Sequence, residues 1–415
     1  MNSSTVLLVF QWLLFGSFLI PIVEVIAAFT GATWSHVAYT QTPGKFTQMI
    51  IQITTVGKEP ELVQMTIDKL REYRLHISFE IWVVVEPGHF IDYTDAEVFV
   101  VPEGFSCRPI DKARALEYSR LVRKSRHLNT SAVKILFVDD DTLPSASYIG
   151  KAFNGDYDLC QGITVPSRWY GTGNWKHLFI SHLDDIRTRN CLIYCSCTQG
   201  MSQKPLFVHG EGLCITGRAE DIVTWDRPIV ASDDLVFGTN AAHIGLTWGY
   251  FYAAIQLVSP WSWKEFLDQR WRWTWGNFDA IARRDILPRA YAYFIALRYA
   301  AGLASVIASS IGSALLLTGV ARVPPQAHKV FLISSACQFL SYGVAGWINS
   351  GGQPNRELRA TAAKYWLFRL VQTIFAIAFT PVNAIIPMCV VVYCALRGRP
   401  KRFMVIKKSN QIMVR

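Results

Sequence analysis

The first candidate for chemistry is a run of three aspartates that follows an apolar segment. Lys134–Val138 predicts a buried β-strand, and this strand stops at Asp139, Asp140 and Asp141. Asp139 and Asp141 are two residues apart, so an extended backbone projects both carboxylates to the same side. Two carboxylates on one side suit a hard divalent cation, Mg²⁺ or Mn²⁺, that also holds phosphate oxygens. The triplet alone is equally compatible with a strand that ends in an ordinary acidic turn.

A second candidate lies in the tryptophan-rich segment Pro260–Gly276. Its five tryptophans stand among basic residues just before a long apolar run, which predicts an interfacial helix at the level of the lipid headgroups. On a helix Gln269, Arg272 and Trp273 fall at positions i, i+3 and i+4, so they share one face and can line a site together. An aromatic membrane belt without chemistry is the alternative.

The elements around the aspartates predict an open α/β sheet. Met49–Thr54 and Ile77–Val85 have the composition of strands, and Glu59–Tyr73 between them has helical spacing. Strand, helix and strand joined by short turns indicate parallel pairing with a right-handed crossover. Such sheets bind ligands at the carboxyl ends of their strands, where Asp139 falls.

Further elements are predicted on both sides of the aspartates, in a block long enough for one α/β domain. If the triplet is only an acidic turn, Thr142–Pro144 begins that turn or the next helix. The other predicted elements are a strand at Val98–Pro102, helices at Asp111–Lys124 and Ala146–Phe153, a strand at Asp158–Val165, a strand and turn at Lys204–Gly212, and a helix after Ala231–Leu235.

The composition places part of the chain in a membrane. Of its 415 residues, 51% are hydrophobic and 17% charged, which is too apolar for a soluble enzyme of this size. Four uncharged runs are long enough to span a bilayer: Val6–Val23, Tyr299–Val320, Val330–Asn349 and Leu370–Leu396. The predicted organisation is a membrane anchor, a catalytic α/β domain, interfacial helices, a C-terminal membrane part and a basic tail, at residues 1–30, 46–259, 260–290, 291–396 and 397–415.

The net charge of +10 does not point to nucleic acid. The basic residues are spread along the chain, and their densest cluster, Arg397–Lys408, follows an apolar run directly. Such a cluster is typical of an orientation signal or of a contact with anionic lipids. We therefore expect membrane lipids, and no nucleic acid, among the partners.

The nine cysteines predict no metal site. Cys191, Cys195 and Cys197 match no paired zinc-ligand pattern, and no histidine stands at a sequence distance that completes one. Reduced structural thiols are the expectation, as in a domain that faces the cytosol.

Taken in order, these motifs resemble those of the membrane-embedded family 2 glycosyltransferases, which include cellulose, chitin and hyaluronan synthases. Asp139 and Asp141 resemble the metal-binding Asp-x-Asp of that family. Asp234, in Ser-Asp-Asp, resembles its catalytic base, and Gln269–Trp273 fits its Gln-x-x-Arg-Trp motif. The resemblance covers most of the chain and implies a Rossmann-like GT-A domain that binds a nucleotide sugar, joined to an α-helical transmembrane bundle.

The chain is still more similar to the Egghead-type β-1,4-mannosyltransferases. The similar segments are Ala113–Tyr118, Lys204–Phe207 and Pro381–Asn383. Enzymes of this type transfer mannose from a GDP donor to a glucosyl lipid. The resemblance therefore implies GDP-mannose or a UDP-sugar as donor, and a lipid-linked or glycan hydroxyl as acceptor.

On the donor side, the resemblance gives three more residues a role. Glu86 stands where the family usually has an aspartate near the nucleoside. Lys112 and Arg272 add positive charge at the departing diphosphate, and arginine can grip phosphate with two hydrogen bonds. A divalent ion held by Asp139 and Asp141 would neutralise the charge that grows on the same group.

On the acceptor side, Asp234 is expected to remove the proton of the attacking hydroxyl. Trp273 offers an aromatic face to a sugar ring, with Gln269 beside it, and Gly210 and Glu211 lie in a turn where glycine permits close backbone approach. A single base opposite the leaving group implies direct displacement with inversion, so an α-linked donor gives a β-linked product.

Two other functions remain open from the sequence. A processive polysaccharide synthase that uses a UDP-sugar and exports its polymer carries the same Gln-x-x-Arg-Trp motif. A channel or transporter subunit with a cytosolic regulatory domain is the alternative outside the enzymes, but the candidate spans carry almost no charge apart from Glu24.

Nucleotide sugars are cytosolic, so we expect a multi-pass membrane protein whose catalytic domain faces the cytosol. Because one anchor precedes this domain, the N-terminus is expected outside. A single last span would then place the basic tail outside, against the positive-inside bias. Pro381 and Pro387 interrupt Leu370–Leu396, so we predict a broken, re-entrant or hairpin segment that keeps Arg397–Arg415 cytosolic.

Overall fold

The structure is a computed structural model of the 415-residue chain. It describes residues 3–88, 91–167, 175–228, 231–283, 285–317, 325–351 and 362–400. The basic tail from residue 401 onward, which the sequence places in the cytosol, lies outside the described residues.

An eight-stranded mixed sheet forms the centre of the fold. Its strands are β1 Gln48–Thr55, β2 Phe79–Val85, β3 Glu97–Val100, β4 Val133–Asp139, β5 Thr142–Pro144, β6 Leu159–Ser167, β7 Cys214–Thr216 and β8 Trp248–Val258. Their order in the sheet is β3-β2-β1-β4-β7-β6-β8-β5. The first four strands in this order are parallel, β7 is antiparallel to β4 and β6, β8 is parallel to β6, and β5 is antiparallel to β8.

The register of the parallel strands explains where the site lies. Thr54 of β1 pairs with Asp139 of β4, and Glu86 directly follows the end of β2. The carboxyl ends of neighbouring parallel strands meet at one edge of the sheet, so these polar residues gather there. The α/β GT-A-like fold predicted from the sequence is confirmed.

The helices cover both faces of the sheet and extend beyond it. They are α1 Ser3–Ala38, α2 Pro60–Glu72, α3 Asp111–Ser125, α4 Ala146–Asn154, α5 Trp175–Leu183, α6 Asp185–Asn190, α7 Gly217–Val223, α8 Asp233–His243, α9 Trp263–Ala282, α10 Arg289–Leu317, α11 Pro325–Ser350, α12 Ala362–Ala378 and α13 Thr380–Arg397. A π-helix, Cys191–Met201, follows α6 directly.

Apolar residues on both sides of β1 anchor these helices. Ile51 belongs to a buried cluster with Val63 of α2, whereas the neighbouring Ile50 points to the opposite face, toward Leu116 of α3. A strand that is buried on both faces has no polar alternation, which is why β1, β2 and β4 read as continuous apolar runs in the sequence.

Two expectations from the sequence about this domain are wrong, and one strand was not predicted. Lys204–Gly212 is irregular, and the strand begins only at Cys214. Thr142–Pro144 is neither a turn nor the start of a helix but strand β5, paired with β8. β8 itself was not predicted, because Gly249, Ala253 and Ala254 and the scarcity of β-branched residues give Trp248–Val258 a weak strand signal.

Side chains explain why Lys204–Gly212 does without a sheet partner. Nε2 of Gln199 donates to O of Phe207 at 2.7 Å, and Nε2 of Gln161 donates to O of His209 at 2.6 Å. Oε1 of Gln161 accepts from N of His209 at 3.2 Å. These buried amides supply the hydrogen bonds that a neighbouring strand would otherwise give.

Three helices of the described chain are long and apolar enough to cross a membrane: Gly16–Ala38, His328–Ser350 and Thr380–Arg397. The first overlaps the predicted run Val6–Val23 and belongs to α1, which continues through Pro21 to Ala38. The span predicted at Tyr299–Val320 falls in α10, whose side chains from residue 305 onward lie outside the description.

The predicted break in Leu370–Leu396 is present just before Pro381, but Pro387 does not interrupt the helix that follows. α12 ends at Ala378 and α13 begins at Thr380, so the long apolar run forms two helices. The second helix is tied to the tryptophan-rich helix α9, because OH of Tyr393 donates to Oδ1 of Asp268 at 2.5 Å and Nε1 of Trp271 donates to O of Gly398 at 2.7 Å. α9 therefore has a buried face toward α13.

Candidate active site

A tight turn positions the three aspartates at the end of β4. N of Asp139 donates to Oγ1 of Thr142 at 2.9 Å, and the same hydroxyl donates to O of Asp139 at 3.0 Å. The backbone thus turns after Asp139. The sequence analysis assumed an extended backbone that projects Asp139 and Asp141 to the same side, and this assumption is wrong. Oδ2 of Asp140 accepts from Oγ1 of Thr55 on β1 at 3.0 Å. All three aspartates line the cavity described next.

A cavity of about 980 Å³ adjoins this turn. Its walls come from the ends of β1 and β4, the segment 206–211, the first turn of α8, and helices α9, α10 and α13. Every site residue predicted from the sequence lines it, namely Glu86, Lys112, Asp139, Asp141, Gly210, Glu211, Asp234, Gln269, Arg272 and Trp273. Residues separated by up to 187 positions in the chain therefore meet in one space.

Lys112 stands at the centre of the charged end. Its Nζ lies 2.5 Å from Oδ1 of Asp139. Burial alone would lower the pKa of Lys112, but the carboxylates of Asp139, Asp233 and Asp234 raise it above its usual value. Lys112 therefore stays protonated and compensates carboxylates from two different elements.

Asp233 and Asp234 form the first turn of α8. Burial, and then the neighbouring Asp233, raise the pKa of Asp234 to about 7. Its Oδ1 accepts from N of Leu235 at 2.8 Å. A carboxyl group with a pKa near 7 is well matched to accept a proton at neutral pH.

Backbone strain accompanies both charged elements. Ser232, just before α8, has φ +64, and Asp111, just before Lys112, has φ +53. Residues other than glycine rarely adopt this left-handed conformation, and such strain concentrates at functional sites. Gly276 lets α9 approach Ser232, because a Cβ at residue 276 would lie 2.7 Å from Oγ of Ser232.

Arg272 brings positive charge from the opposite wall. Burial lowers the pKa of Arg272, and the charges of Asp139 and Asp233 oppose this shift. The guanidinium remains charged at any physiological pH. It therefore faces the aspartates of β4 and α8 from α9.

Glu86 is held at the edge of the cavity by Arg114. Nη2 of Arg114 donates to Oε2 of Glu86 at 2.7 Å. Burial raises the pKa of Glu86, and the arginine opposes that rise. Oε1 of Glu86 is buried without a hydrogen-bond partner among the described residues, so it is available to a ligand.

Gly210 lies between the two charged elements. A Cβ at this position would lie 3.1 Å from Nζ of Lys112 and 3.6 Å from Oδ2 of Asp234. A side chain at residue 210 would therefore crowd the Lys112 ammonium and touch the Asp234 carboxylate. Glu211 next to it accepts from Nη1 of Arg187 at 3.2 Å.

Gln269 and Trp273 line the wall on the α9 side. Oε1 of Gln269 is buried and has no hydrogen-bond partner within the described ranges. The guanidinium carbons of Arg187 and Arg270 lie 4.4 and 4.7 Å from the ring centre of Trp273. Part of the indole surface is thus covered by cations, and the ring also borders the cavity.

Sequence reasoning missed Arg187 and Arg270. Both share the buried carboxylate of Asp184. For Arg187, the charged stretch 184–190 within an otherwise apolar region could have indicated the site. Buried charges need partners, so such a stretch predicts a cluster of paired charges.

We call the part of the cavity wall formed by α10 and α13 the apolar end. Most of its lining residues are apolar, among them Ala296, Tyr299, Leu303, Ile386, Val390 and Val391, and Arg298 of α10 is the charged exception. Thr380–Arg397 is one of the candidate membrane spans. One space therefore joins a cluster of charges to a membrane-type surface.

A GT-A-like sheet with carboxylates and cations at the ends of its parallel strands is the arrangement of an α/β enzyme that acts on nucleotide sugars. The model of the glycosyl transferase family group 2 matches residues 134–349, more than half of the chain. The chain belongs to this family, and the protein is a glycosyltransferase.

Individual relatives are distant. The β-1,4-mannosyltransferase egh of Drosophila melanogaster is 22% identical over 383 residues, which are 88% of this chain and 78% of the relative. A mannosyltransferase from Pyrobaculum calidifontis, solved with GDP-Man and Mn²⁺, is 14% identical, with a TM-score of 0.49 over 89% of this chain and 98% of that chain. Glucosyl-3-phosphoglycerate synthase from Mycobacterium tuberculosis, solved with Mn²⁺, UDP and phosphoglyceric acid, is also 14% identical, with a TM-score of 0.27 over 52% and 70%.

Proposed function

We propose that this protein is an inverting, metal-dependent membrane glycosyltransferase that transfers mannose from GDP-mannose to a hydroxyl of a lipid-linked acceptor and forms a β-linkage. The observation that carries the proposal is the single cavity that joins the charged cluster to the helices α10 and α13. The similarity to the Drosophila β-1,4-mannosyltransferase supports the choice of mannose.

The donor diphosphate is assigned to the charged end. Asp139 and Asp141 offer carboxylate oxygens, the ligands that Mg²⁺ and Mn²⁺ prefer, and both line the cavity. When bound there, such an ion neutralises negative charge on the departing diphosphate. Lys112 and Arg272 add fixed positive charge from two sides, and the unpartnered Oε1 of Glu86 is placed to accept a hydrogen bond from the nucleoside.

Asp234 is assigned as the general base. Its pKa of about 7 allows it to take the proton of the acceptor hydroxyl near neutral pH. The proton moves to a carboxylate oxygen as the hydroxyl oxygen attacks the anomeric carbon and the bond to the diphosphate breaks. Because one base serves a single displacement, the configuration at this carbon inverts.

The apolar end is assigned to the lipid part of the acceptor. A hydrocarbon tail between α10 and α13 gains about 0.8 kcal/mol per buried CH₂ group. Trp273 and Gln269 line the same cavity, and we assign the acceptor sugar to them. A catalytic domain on the cytosolic side, where nucleotide sugars are found, is part of the proposal.

A processive synthase that uses a UDP-sugar is the second candidate. The observation that favours it is the common face of Gln269, Arg272 and Trp273, since these three residues of the Gln-x-x-Arg-Trp motif all line the cavity. The two candidates differ in their products. Single addition gives one new species, whereas a processive enzyme gives a ladder of chain lengths.

Transfer by the detergent-purified full-length protein tests the proposal. GDP-mannose, UDP-glucose, UDP-N-acetylglucosamine and UDP-glucuronate are each offered with a glucosyl lipid, in the presence of Mn²⁺ or of chelator. We expect turnover of GDP-mannose alone, loss of turnover with chelator, and a single β-linked product. Preference for a UDP-sugar with a ladder of products would replace the proposal with the second candidate.

A further inference from the structure

Two thiols and an imidazole meet next to the active site. Sγ of Cys191 and Sγ of Cys195 lie 3.1 and 3.6 Å from Nε2 of His209. The three donor atoms all lie within 4.8 Å of one another, and all three side chains are buried. This corrects the expectation from the sequence that no histidine joins these cysteines. His209 is 14 positions from Cys195. The rest of the π-helix and part of the irregular segment lie between them in the chain.

We propose that Cys191, Cys195 and His209 bind a thiolate-preferring metal ion, zinc or copper(I), at a site separate from the aspartates of β4. Two sulfurs and one imidazole nitrogen are soft ligands that select these ions over Mg²⁺ or Mn²⁺. In tetrahedral zinc sites the donor atoms lie roughly 3.5–4 Å apart, given Zn–S of about 2.3 Å and Zn–N of about 2.1 Å. The observed separations need only small shifts to match. Binding converts both thiols to thiolates and releases their protons to solvent.

The surroundings of His209 resemble those of a metal ligand. Its Nε2 faces the thiols, while its Nδ1 lies 3.9 Å from Oε1 of Glu211. The same carboxylate oxygen accepts from Nη1 of Arg187 at 3.2 Å. A carboxylate beside the second ring nitrogen orients a ligating imidazole and makes it a stronger donor. Access is also provided, because His209 borders the large cavity.

A metal ion here would fasten the π-helix to the segment that carries Gly210. Gly210 directly follows His209 and lies against Lys112 and Asp234. The ion would therefore hold the backbone on the acceptor side in place without touching the substrate. The buried pair Cys160 and Cys214 offers a contrast, because no group of three metal-ligating side chains that includes it is found in the described part of the chain.

Metal analysis of the full-length protein, purified with reductant and without chelator, tests the site. We expect about one equivalent of zinc or copper per chain. The content should fall at least about tenfold in Cys191→Ser and in Cys195→Ser, and stay unchanged in the matched control Cys160→Ser. Wild-type protein that is stripped and reloaded with Co²⁺ should show a thiolate-to-cobalt absorption band, a readout that needs no variant to fold.

Three results would overturn the proposal. These are wild-type protein that contains no zinc or copper and gives no cobalt band, a metal content that is unchanged in the double variant C191S/C195S, and a Cys191–Cys195 disulfide found by mass spectrometry in protein prepared without oxygen. None of these readouts depends on sugar transfer, so failure of this site and failure of the proposed reaction can be told apart.

Discussion

The two sides of the cavity are built in different ways. On the side that we assign to the donor, Glu86 directly follows β2 and Asp139 ends β4, and β1 pairs with both of these strands in a parallel ladder of backbone hydrogen bonds. On the acceptor side, Gly210 and Glu211 belong to an irregular segment whose backbone is bound by the side chains of Gln161 and Gln199. A ladder distributes its stability over many bonds, whereas the irregular segment depends on a few buried side chains. Single substitutions should therefore disturb acceptor binding more easily than donor binding.

The largest expected effect separates chemistry from donor binding. Asp234→Asn removes the base, so kcat should fall by about 10²–10⁴-fold. KM for the donor should change little, since Asp234 is not among the groups assigned to the diphosphate. Steady-state rates with varied donor measure both constants. Asp226→Asn, a carboxylate outside the cavity that pairs with Arg108, is the control. A loss of donor binding in Asp234→Asn would place this residue on the donor side instead.

Removal of a carboxylate assigned to the donor side should lower kcat and raise the concentration of metal that the enzyme needs. Asp139→Asn takes away one ligand of the divalent ion and the partner of Lys112. We expect kcat to fall by about 10²–10³-fold, and the concentration of Mn²⁺ needed for half-maximal rate to rise. Titration of activity with Mn²⁺ checks this, with Asp156→Asn as control because its ion pair with Lys45 lies outside the cavity. An unchanged metal requirement would contradict the assignment.

The pH profile should report the base. Because burial and Asp233 raise the pKa of Asp234 to about 7, its active carboxylate form is lost as pH falls through about 7. With saturating donor, kcat/KM for the acceptor should drop about tenfold per pH unit below this value. The free energy of unfolding changes in the opposite direction to the rate. The folded chain keeps this proton at pH values where the unfolded chain has lost it, so protonation of Asp234 stabilises the folded state. Rising pH up to about 7 therefore destabilises the fold through Asp234. A flat rate profile between about pH 5.5 and 8 would exclude Asp234 as the base.

A matched pair of glutamine variants compares the two sides directly. Gln161→Leu leaves backbone groups of the irregular segment without partners, which costs about 1–3 kcal/mol per group. We expect a lower melting temperature and a severalfold higher KM for the acceptor, with donor KM unchanged. Gln52→Leu removes a buried glutamine of β1. The side chain of Gln52 donates a hydrogen bond to Thr54 and accepts one from Arg123. It should lower the melting temperature and leave acceptor KM unchanged. Equal changes of acceptor KM in both variants would remove the distinction between the two sides.

The same difference explains how much the sequence could predict. Strands β1, β2 and β4 were predicted within a few residues because they are short, β-rich apolar runs, and helices α2 and α3 because their residues have helical spacing. The site residues predicted from motifs all line one cavity, because most of them lie near the end of a strand or helix or on one face of α9, and Gly210 and Glu211 lie in the irregular segment. Neither result required contacts between distant parts of the chain to be known.

The residues that support the acceptor side could not be predicted in this way. Arg187, Gln161 and His209 act through partners far along the chain, and no local pattern encodes those pairings. β8 was missed because its glycine and alanines weaken the strand signal, and the irregular segment before β7 resembled a strand in composition alone. Side-chain bonds to buried backbone groups carry no periodic signal, so such regions are found only in the folded structure.

Blocking the apolar end of the cavity tests the central claim most directly. Val390 on α13 lines the cavity, whereas Val392 on the same helix does not. Val390→Trp should lower transfer to a long-chain lipid acceptor at least about tenfold, by removing space for the tail, and leave hydrolysis of the donor within about twofold. Val392→Trp should change neither rate, and melting temperatures verify that both variants fold. Unchanged lipid transfer in folded Val390→Trp would contradict the claim that one cavity joins the sugar-transfer site to the membrane.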